Sequence, residues 1–295
     1  MRLALRDSVL ELERGRPQLM GVVNATPDSF SDRQGPKGLD ELVERAHALV
    51  RDGARIVDVG GESGRTDRPA VSQAEETRRV VGVVERLVAD GITVSVDTWR
   101  AGPARAALEC GAAMVNDVSG LSDPALAELC AEHDAALVIT HTRAAPKTDR
   151  YGDYGDVVAD VLELLRERVC RARELGVAED GLLLDPGLDL AKTPAESLEV
   201  LRGIGRLQEE LGRPLLLAVS RKDFVGAVTG RRPADRGAGT LGAIEPALDL
   251  EGALLRVHDV AAAADFLRVR RALREDTGGF EAPLAAGLRR EGAAP

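Results

Sequence analysis

The sequence has few of the residues that define several familiar protein classes. Aromatic side chains make up 2% of its 295 residues, and it contains three cysteines. Cys110, Cys130 and Cys170 have neither CxxC nor metal-ligand spacing, which argues against a disulfide scaffold and a cysteine-based zinc site. Because each lies among alanines and leucines in a helical pattern, we expect all three to pack in the core. With so few aromatic rings, aliphatic side chains must fill that core.

Long apolar runs are also missing. No stretch of about 18 consecutive apolar residues occurs, which argues against a membrane-spanning helix. Charged residues from Arg6 onward interrupt the N-terminal segment, so this segment does not resemble a signal peptide. We therefore expect a cytoplasmic protein that does not associate with membranes.

Positive charge is scarce, and lysine is scarcer still. The net charge of −10 argues against nucleic acid as a partner, so an anionic substrate would need a local cationic pocket. Four of the 39 basic residues are lysines, at Lys37, Lys147, Lys192 and Lys222. Because the chain otherwise uses arginine, we expect that some of these lysines have specific roles.

Eight short apolar segments, each followed by a helical pattern, organise the chain. The predicted strands are Leu19–Val23, Arg55–Val59, Thr93–Val96, Ala113–Val115, Ala136–Ile139, Gly181–Leu184, Pro214–Val219 and Ala253–Leu255. Strands that alternate with helices predict a parallel sheet, and eight such units predict an α/β protein with a (β/α)8 TIM barrel. The first strand-to-helix turn lacks GxGxxG, which weakens the alternative of an open, doubly wound sheet.

We divide the chain into an N-terminal β-hairpin (1–18), a single barrel domain (19–274) and a C-terminal tail (275–295). Segment 14–17 contains glycine and proline and is expected to form the turn of the hairpin. Thr193 and Glu196 have the spacing of a capping box, and the helix that they begin is expected to run to Leu211.

Polar residues follow the predicted strands, at the face where barrels of this class place their sites. They are Asn24, Arg65, Asp97, Asn116, His141, Asp185, Lys222, Arg256 and His258. Each has an ordinary alternative, because a lone Asp or Asn often caps the next helix, a lone His is often structural and a loop Arg is often solvated. If the chain forms a barrel, nine such residues at one face favour a functional site.

These residues divide by chemistry into two groups. Asp97, Asn116 and Asp185 would accept hydrogen bonds from the N–H edge of an amino-pyrimidine or guanidine-like ring, with Lys222 beside them. The second group combines Asn24, Arg65, Arg256 and His258, and guanidinium and imidazole groups suit a phosphate or pyrophosphate. Together they predict a heterocycle that carries a phosphorylated leaving group.

Seven motifs at these strand ends resemble those of the dihydropteroate synthase family. They are NATPDSFSD (24–32), IVDVGGES (56–63), SVDT (95–98), NDVSG (116–120), DPG (185–187), SRK (220–222) and RVHDV (256–260). They occur in the family's order and span most of the chain. The resemblance implies the joining of p-aminobenzoate to 6-hydroxymethyl-7,8-dihydropterin pyrophosphate, with release of pyrophosphate and with Mg²⁺ as cofactor.

The resemblance also implies roles for individual residues. Asp97, Asn116, Asp185 and Lys222 would bind the pterin ring, and Asn24, Arg65, Arg256 and His258 would bind the pyrophosphate. Asn24 would be a Mg²⁺ ligand, Ser220 and Leu190 would line the p-aminobenzoate pocket, and Lys222, Arg256 and His258 would take part in catalysis. Loops 26–32 and 63–68 would fold over the site. Barrels of this family are usually homodimers, so we expect one here.

Departures from the family pattern concentrate around the acceptor. The family's DPGxGFGK is replaced by DPGLDLAK (185–192), so that Asp189 stands for a glycine and Leu190 for an aromatic residue. Gly64 replaces a threonine in the second loop. An added carboxylate near a pocket for an anionic benzoate is expected to oppose binding. This pattern, together with SVDTWR (95–100), is similar to a divergent second copy of the family that some actinobacterial genomes carry.

Three functions therefore stay open at this stage. The first is an active synthase, which needs no protein nucleophile, in keeping with the lack of a recognisable nucleophile–base pair in the sequence. The second is a divergent paralogue that binds the pterin pyrophosphate but uses another acceptor or is inactive. The third is a pterin-binding methyltransferase, which would have no need of SRK (220–222) together with RVH (256–258).

Overall fold

The protein forms a closed barrel of eight parallel strands, preceded by a two-stranded hairpin, in a computed structural model that describes residues 1–26, 36–64, 68–148, 150–275 and 288–289. The strands are β1 Arg2–Leu5, β2 Ser8–Glu11, β3 Gln18–Asn24, β4 Ile56–Gly60, β5 Val94–Asp97, β6 Met114–Asp117, β7 Ala136–Thr140, β8 Leu182–Asp185, β9 Leu215–Leu217 and β10 Ala253–Val257. Strands β3 to β10 pair in chain order, and β10 closes the barrel against β3. The predicted (β/α)8 barrel is confirmed.

Helices follow each barrel strand. They are α1 Pro36–Arg51, α2 Gln73–Ala89, α3 Ala101–Glu109, α4 Ala125–Glu132, α5 Val157–Glu174, α6 Pro194–Arg202, α7 Ile204–Leu211, α8 Asp223–Thr229, α9 Gly237–Ile244 and α10 Val260–Arg274. No helix among the described residues is long and apolar enough to cross a membrane. Residues 276–287 and 290–295 of the predicted tail lie outside the described part of the chain.

Alternate residues of each strand face the barrel interior, because side chains in a strand point to opposite sides in turn. Outward residues such as Val57, Val115 and Ile139 belong to the aliphatic core under the helices. Inward residues near the strand starts, such as Met20 and Met114, form a second apolar core. The same inward positions become polar near the strand ends, and this change places the polar side chains over the barrel mouth.

The N-terminal hairpin covers the other end of the barrel. Leu3, Leu5, Leu10 and Leu12 belong to the same buried core as the inward residues at the strand starts. The hairpin was correctly predicted, but its turn was not. β1 and β2 pair from Arg2–Glu11 to Leu5–Ser8, so residues 6–7 form the turn, whereas residues 13 and 16 make an isolated bridge around Gly15.

Two other local predictions need correction. The helix that begins at Thr193 has the expected capping box, but it ends at Arg202, and α7 begins after Gly203. Of the three cysteines, Cys130 is buried, Cys110 is half-buried and Cys170 is exposed. Cys130 therefore lies in the core and Cys110 packs against it, whereas core packing was wrongly predicted for the exposed Cys170.

Candidate active site at the carboxyl ends of the barrel strands

A buried ion cluster lies at the centre of the barrel mouth. Arg256 on β10 contacts Asp58 on β4 through Nε (2.6 Å to Oδ2) and Asp97 on β5 through Nη2 (2.6 Å to Oδ2). The Asn116 side chain on β6 donates to the same Asp58 oxygen at 3.1 Å. Asp58 is fully buried, and the Arg256 side chain is 19% exposed. The structure therefore joins Arg256, predicted for the pyrophosphate group, directly to Asp97 of the pterin group.

Burial and charge set the protonation of this cluster. Burial raises the pKa of Asp97 to about 7, an effect that Arg256 opposes and Asp58 reinforces. Although burial disfavours the charge on Arg256, Asp58 and Asp97 raise the pKa of its guanidinium above the usual range. Asp58 Oδ1 and Asn116 Oδ1 are buried and have no hydrogen-bond partner among the described residues. Such acceptors are costly to leave unpaired, which favours a ligand that brings N–H donors.

Asp185 and Lys222 belong to the same electrostatic neighbourhood. Asp185 Oδ1 accepts from the Gly187 backbone N–H at 2.7 Å. Burial raises the pKa of Asp185, while that hydrogen bond and the charges of Lys222, Lys192 and Arg256 oppose the shift. Lys222 Nζ donates to the Leu188 carbonyl at 2.9 Å. The pterin residues predicted from the sequence, Asp97, Asn116, Asp185 and Lys222, therefore come together at one face.

Ser220 and His258 form a hydrogen-bonded pair at the ends of β9 and β10. The His258 Nδ1 to Ser220 Oγ distance is 2.9 Å. Burial, followed by repulsion from Arg256, lowers the pKa of His258 to about 4, so the ring is neutral at pH 7. The ring therefore adds no positive charge of its own to the group predicted to bind the pyrophosphate. If Ser220 donates to Nδ1, His258 presents Nε2–H as a neutral donor.

For the other predicted site residues, the structure gives the position of Asn24 and Leu190 but does not describe Arg65. Asn24 is exposed at the end of β3. Leu190 is half-buried in the loop after β8. Arg65 lies outside the described residues, as do residues 27–35 of the first loop and 65–67 of the second. No group of three or more His, Cys, Asp or Glu side chains that could hold a metal occurs among the described residues.

A second buried network, formed by Lys192, His141 and Asp160, supports the loop after β8. Of these residues, only His141 was among the polar residues predicted at the strand ends. Lys192 is 2% exposed, and its Nζ donates to His141 Nδ1 at 2.7 Å and to the Gly187 carbonyl at 2.9 Å. His141 Nε2 lies 2.7 Å from Asp160 Oδ1, so the neutral ring donates there. Burial lowers the pKa of Lys192 to about 7, against the effect of Asp185.

Comparison with known proteins decides the family. A sequence model described as pterin binding enzyme matches residues 20–258. Dihydropteroate synthase from Bacillus subtilis is 38% identical over 88% of this chain and 90% of its own length. Dihydropteroate synthase from Xanthomonas albilineans, solved with 4-aminobenzoic acid, is 40% identical with a TM-score of 0.84, over 92% of this chain and 98% of that one.

This chain belongs to the dihydropteroate synthase family. A second structure of the Xanthomonas albilineans enzyme, in complex with 7,8-dihydropteroate, is 40% identical with a TM-score of 0.82 and covers 93% of this chain and 99% of that one. The resemblance found from the sequence motifs is confirmed. Members of the family are transferases of folate biosynthesis, and this chain has their barrel.

Asp189, where the dihydropteroate synthase pattern has a glycine, is bound by the backbone of a neighbouring loop. Its backbone is left-handed, with φ of 60°, a conformation that glycine adopts most easily. Its carboxylate accepts from the backbone N–H groups of Asp223 and Phe224, the first residues of α8. The carboxylate therefore links the loop after β8 to the start of α8.

Asp58 is the residue that sequence reasoning missed. It lies in the middle of β4, whereas the candidate residues were sought at the strand ends. The signal was available, because Asp58 is the only charged residue in the segment 56–60 and a buried strand seldom carries an unpaired carboxylate. Its inward position on β4 places it below the mouth, where Arg256 and Asn116 reach it.

The buried His141 predicts a pH-dependent stability. Burial and Lys192 lower the pKa of His141 from 6.5 to about 4, so the unfolded chain binds more protons between these values. The stabilisation from the neutral ring is therefore complete above about pH 6.5 and is lost as the pH falls toward 4. We expect wild type to lose about 2 to 3 kcal/mol more than His141→Asn between about pH 7 and pH 4 in urea unfolding. Equal losses would contradict the assignment.

Proposed function

We propose that this chain condenses 6-hydroxymethyl-7,8-dihydropterin pyrophosphate with p-aminobenzoate and releases pyrophosphate. The observation that carries the proposal is the group of acceptor oxygens at the barrel mouth. Within the described part of the chain Asp58 Oδ1 and Asn116 Oδ1 lack partners, and Asp97 and Asp185 present carboxylates nearby. A pterin ring offers N–H donors along one edge, and its binding would satisfy these oxygens.

The proposed roles follow from charge and position. Asp97, Asn116 and Asp185 accept hydrogen bonds from the ring, with Lys222 beside Asp185. Arg256, Arg65, Asn24 and neutral His258 bind the pyrophosphate. The bond between the pterin methylene and the pyrophosphate oxygen breaks, and its electron pair leaves with the pyrophosphate. The carboxylates stabilise the resulting cationic methylene, and Arg256 and Lys222 stabilise the leaving anion.

The amine of p-aminobenzoate then forms the new C–N bond to the pterin methylene, and its proton passes to water or to the released pyrophosphate. Leu190 and Ser220 flank the proposed acceptor pocket, one on the loop after β8 and the other after β9. No side chain of the protein forms a covalent bond, so the enzyme acts by positioning and electrostatics.

Mg²⁺ fits this site as a partner of the substrate. The ion usually takes few protein ligands together with phosphate oxygens and water. The Asn24 side chain is exposed at the mouth, where its amide oxygen would serve as one such ligand. When bound, Mg²⁺ would neutralise charge on the departing pyrophosphate.

The homodimer and the cytoplasmic location stay predictions.

The direct test measures pyrophosphate release from the pterin pyrophosphate with and without p-aminobenzoate. Release that requires p-aminobenzoate, with 7,8-dihydropteroate as product, supports the proposal. Pterin binding without this dependence would contradict it and favour the paralogue that uses another acceptor. Methyl transfer from a pterin would instead favour the methyltransferase. Complementation of a folate-auxotrophic strain that lacks its own synthase provides the matching test in cells.

A further inference from the structure

The loop after β8 is folded around a buried ammonium group. Lys192 is 2% exposed, and its Nζ donates to His141 Nδ1 at 2.7 Å and to the carbonyl oxygens of Gly187 at 2.9 Å and Leu190 at 3.3 Å. A further acceptor, the His141 carbonyl, lies at 3.4 Å. A charged lysine has three N–H donors, and all three find acceptors here. The ammonium therefore holds the loop from its inner side.

The backbone of this loop follows a path that needs such support. Gly187, Asp189 and Ala191 are all left-handed, with φ of 70°, 60° and 53°, and two of the three are not glycine. A Cβ at residue 187 would lie 1.9 Å from the His141 carbonyl oxygen and 3.2 Å from Lys192 Nζ, so glycine is required there. The Gly187 backbone is thus fixed between β7 and the ammonium of Lys192.

Gly187 connects the ammonium to the Asp185 carboxylate. Leu183 belongs to the core inside the barrel, so Asp185, two residues later on the same strand, also points inward at the mouth. The Gly187 N–H donates to Asp185 Oδ1 at 2.7 Å, and the carbonyl of the same residue accepts from Lys192 Nζ. Lys192 therefore acts on the carboxylate through the residue that binds it.

We propose that Lys192 is a positioning residue for recognition of the pterin ring, because its ammonium holds Gly187 where the Gly187 N–H orients the Asp185 carboxylate. The proposal rests on the proposed function, which assigns Asp185 to the ring. Lys192 is enclosed by the loop and does not itself contact the ligand. Its charge also favours the ionised form of Asp185, which accepts hydrogen bonds from ring N–H groups.

The test compares variants of this network in their binding of 6-hydroxymethylpterin by calorimetry. Lys192→Met removes the charge and the donors but keeps the length of the side chain. Lys192→Gln keeps two N–H donors and serves if the methionine variant does not fold, which urea unfolding reports. Asp160→Asn is the control, because it alters the outer end of the same network while asparagine still accepts from His141 Nε2.

Lys192→Met is expected to raise the Kd for 6-hydroxymethylpterin by about tenfold, the effect of one charge-assisted contact. Asp160→Asn stays within about twofold of wild type. In the Asp185→Asn background, Lys192→Met changes the Kd by less than about twofold, since the contact through which it acts is already lost. An equal tenfold loss in both backgrounds, or an equal loss in Asp160→Asn, would overturn the inference.

The pH dependence separates this role from a merely structural one. Burial lowers the pKa of Lys192 to about 7, so the ammonium is charged at pH 6 and mostly neutral at pH 8. Its charge opposes the effect of burial on Asp185, so Lys192→Met raises the pKa of that carboxyl, whose ionised form is lost as the pH falls.

The ratio of the variant Kd to the wild-type Kd is therefore expected to be at least about threefold larger at pH 6 than at pH 8. Taking the ratio at each pH removes the titration of the ligand itself. A ratio that is the same at both pH values would overturn the inference. The charged groups that act on Lys192 are Asp185, Lys222, Asp160 and Glu196, the ring of Tyr154 lies 5.9 Å from its Nζ, and the cations that act on Asp185 are Lys222, Lys192 and Arg256.

A measurement without ligand distinguishes failure of this inference from failure of the proposed function. Hydrogen exchange at the Gly187 amide, followed by NMR, is expected to be at least about tenfold faster in Lys192→Met than in wild type or Asp160→Asn. If the ring contact is wrong, Asp185→Asn binds the pterin like wild type, while the faster exchange is still seen. If Asp185→Asn loses binding but Lys192→Met keeps it, the ring contact stands and the role of Lys192 is refuted.

Discussion

Arg256→Ala is expected to lower the free energy of unfolding by about 3 to 5 kcal/mol. The guanidinium pairs with fully buried Asp58 and with Asp97, whose side chain is 19% exposed. Its removal leaves two carboxylates close together without their cation, and the cost is mainly that of uncompensated buried charge. Urea unfolding at about pH 8, above the pKa of about 7 that Asp97 has in the intact cluster, measures the loss.

The double variant Arg256→Met with Asp58→Asn provides the control. It removes one charge of each sign and keeps much of the side-chain volume. We expect it to recover at least about 1 kcal/mol relative to the sum of the single changes, since the residues are in contact. Strictly additive effects would show that the Arg256–Asp58 pair contributes no coupling, and that the loss in Arg256→Ala comes from the contact with Asp97 or from packing.

The Arg256→Ala variant also tests whether Arg256 contacts the pyrophosphate in addition to the residues of the ring site. If it contacts the leaving group, Arg256→Ala weakens binding of the pterin pyrophosphate about tenfold more than binding of the free pterin, the effect of one charge-assisted contact. Equal losses for both ligands would mean that Arg256 acts through Asp58 and Asp97 only. The question arises because Arg256 already contacts Asp58 and Asp97 at 2.6 Å, which the sequence did not predict.

The fold was predictable because its signals are local and repeated. Each barrel strand is a short aliphatic run, each helix has a 3.6-residue period, and the turn residues separate them. The hairpin turn was misplaced for the opposite reason. Residues 14–17 carry the stronger turn composition, whereas the pairing of Leu3 and Leu5 with the interior core fixes the turn at residues 6–7.

Most residues of the site could be predicted from the sequence, but the contacts between them could not. Parallel strands place their carboxyl ends together, so Asp97, Asn116, Asp185 and Arg256 had to lie at one face. Which of them pair depends on strand stagger and side-chain direction, and this is why Asp58 was missed. The lowered pKa of His258 depends first on how deeply the fold buries the ring. The contacts of Asp189 likewise depend on a neighbour far away in the sequence, Phe224.

Asp185→Asn is expected to weaken pterin binding by about a hundredfold or more. Asparagine keeps the acceptor for the Gly187 N–H, which Asp185 Oδ1 now binds at 2.7 Å. Its amide N–H₂ then stands where the second carboxylate oxygen faces the ligand, so donor meets donor at a buried position. A site built for one hydrogen-bonding pattern rejects the mismatch strongly, because both partners stay unpaired. Calorimetry with 6-hydroxymethylpterin measures the change.

This loss would not reflect unfolding. Burial raises the pKa of Asp185, which means that its charge is costly in the folded state, so the neutral isostere should change stability by no more than about 1 kcal/mol. Asp259→Asn is the matched control, because Asp259 caps α10 by accepting from the Ala262 N–H at 3.0 Å and asparagine caps equally well. Tight pterin binding by a folded Asp185→Asn variant would contradict the proposed ring contact, and the recognition of the ring would then rest on Asp58, Asp97 and Asn116.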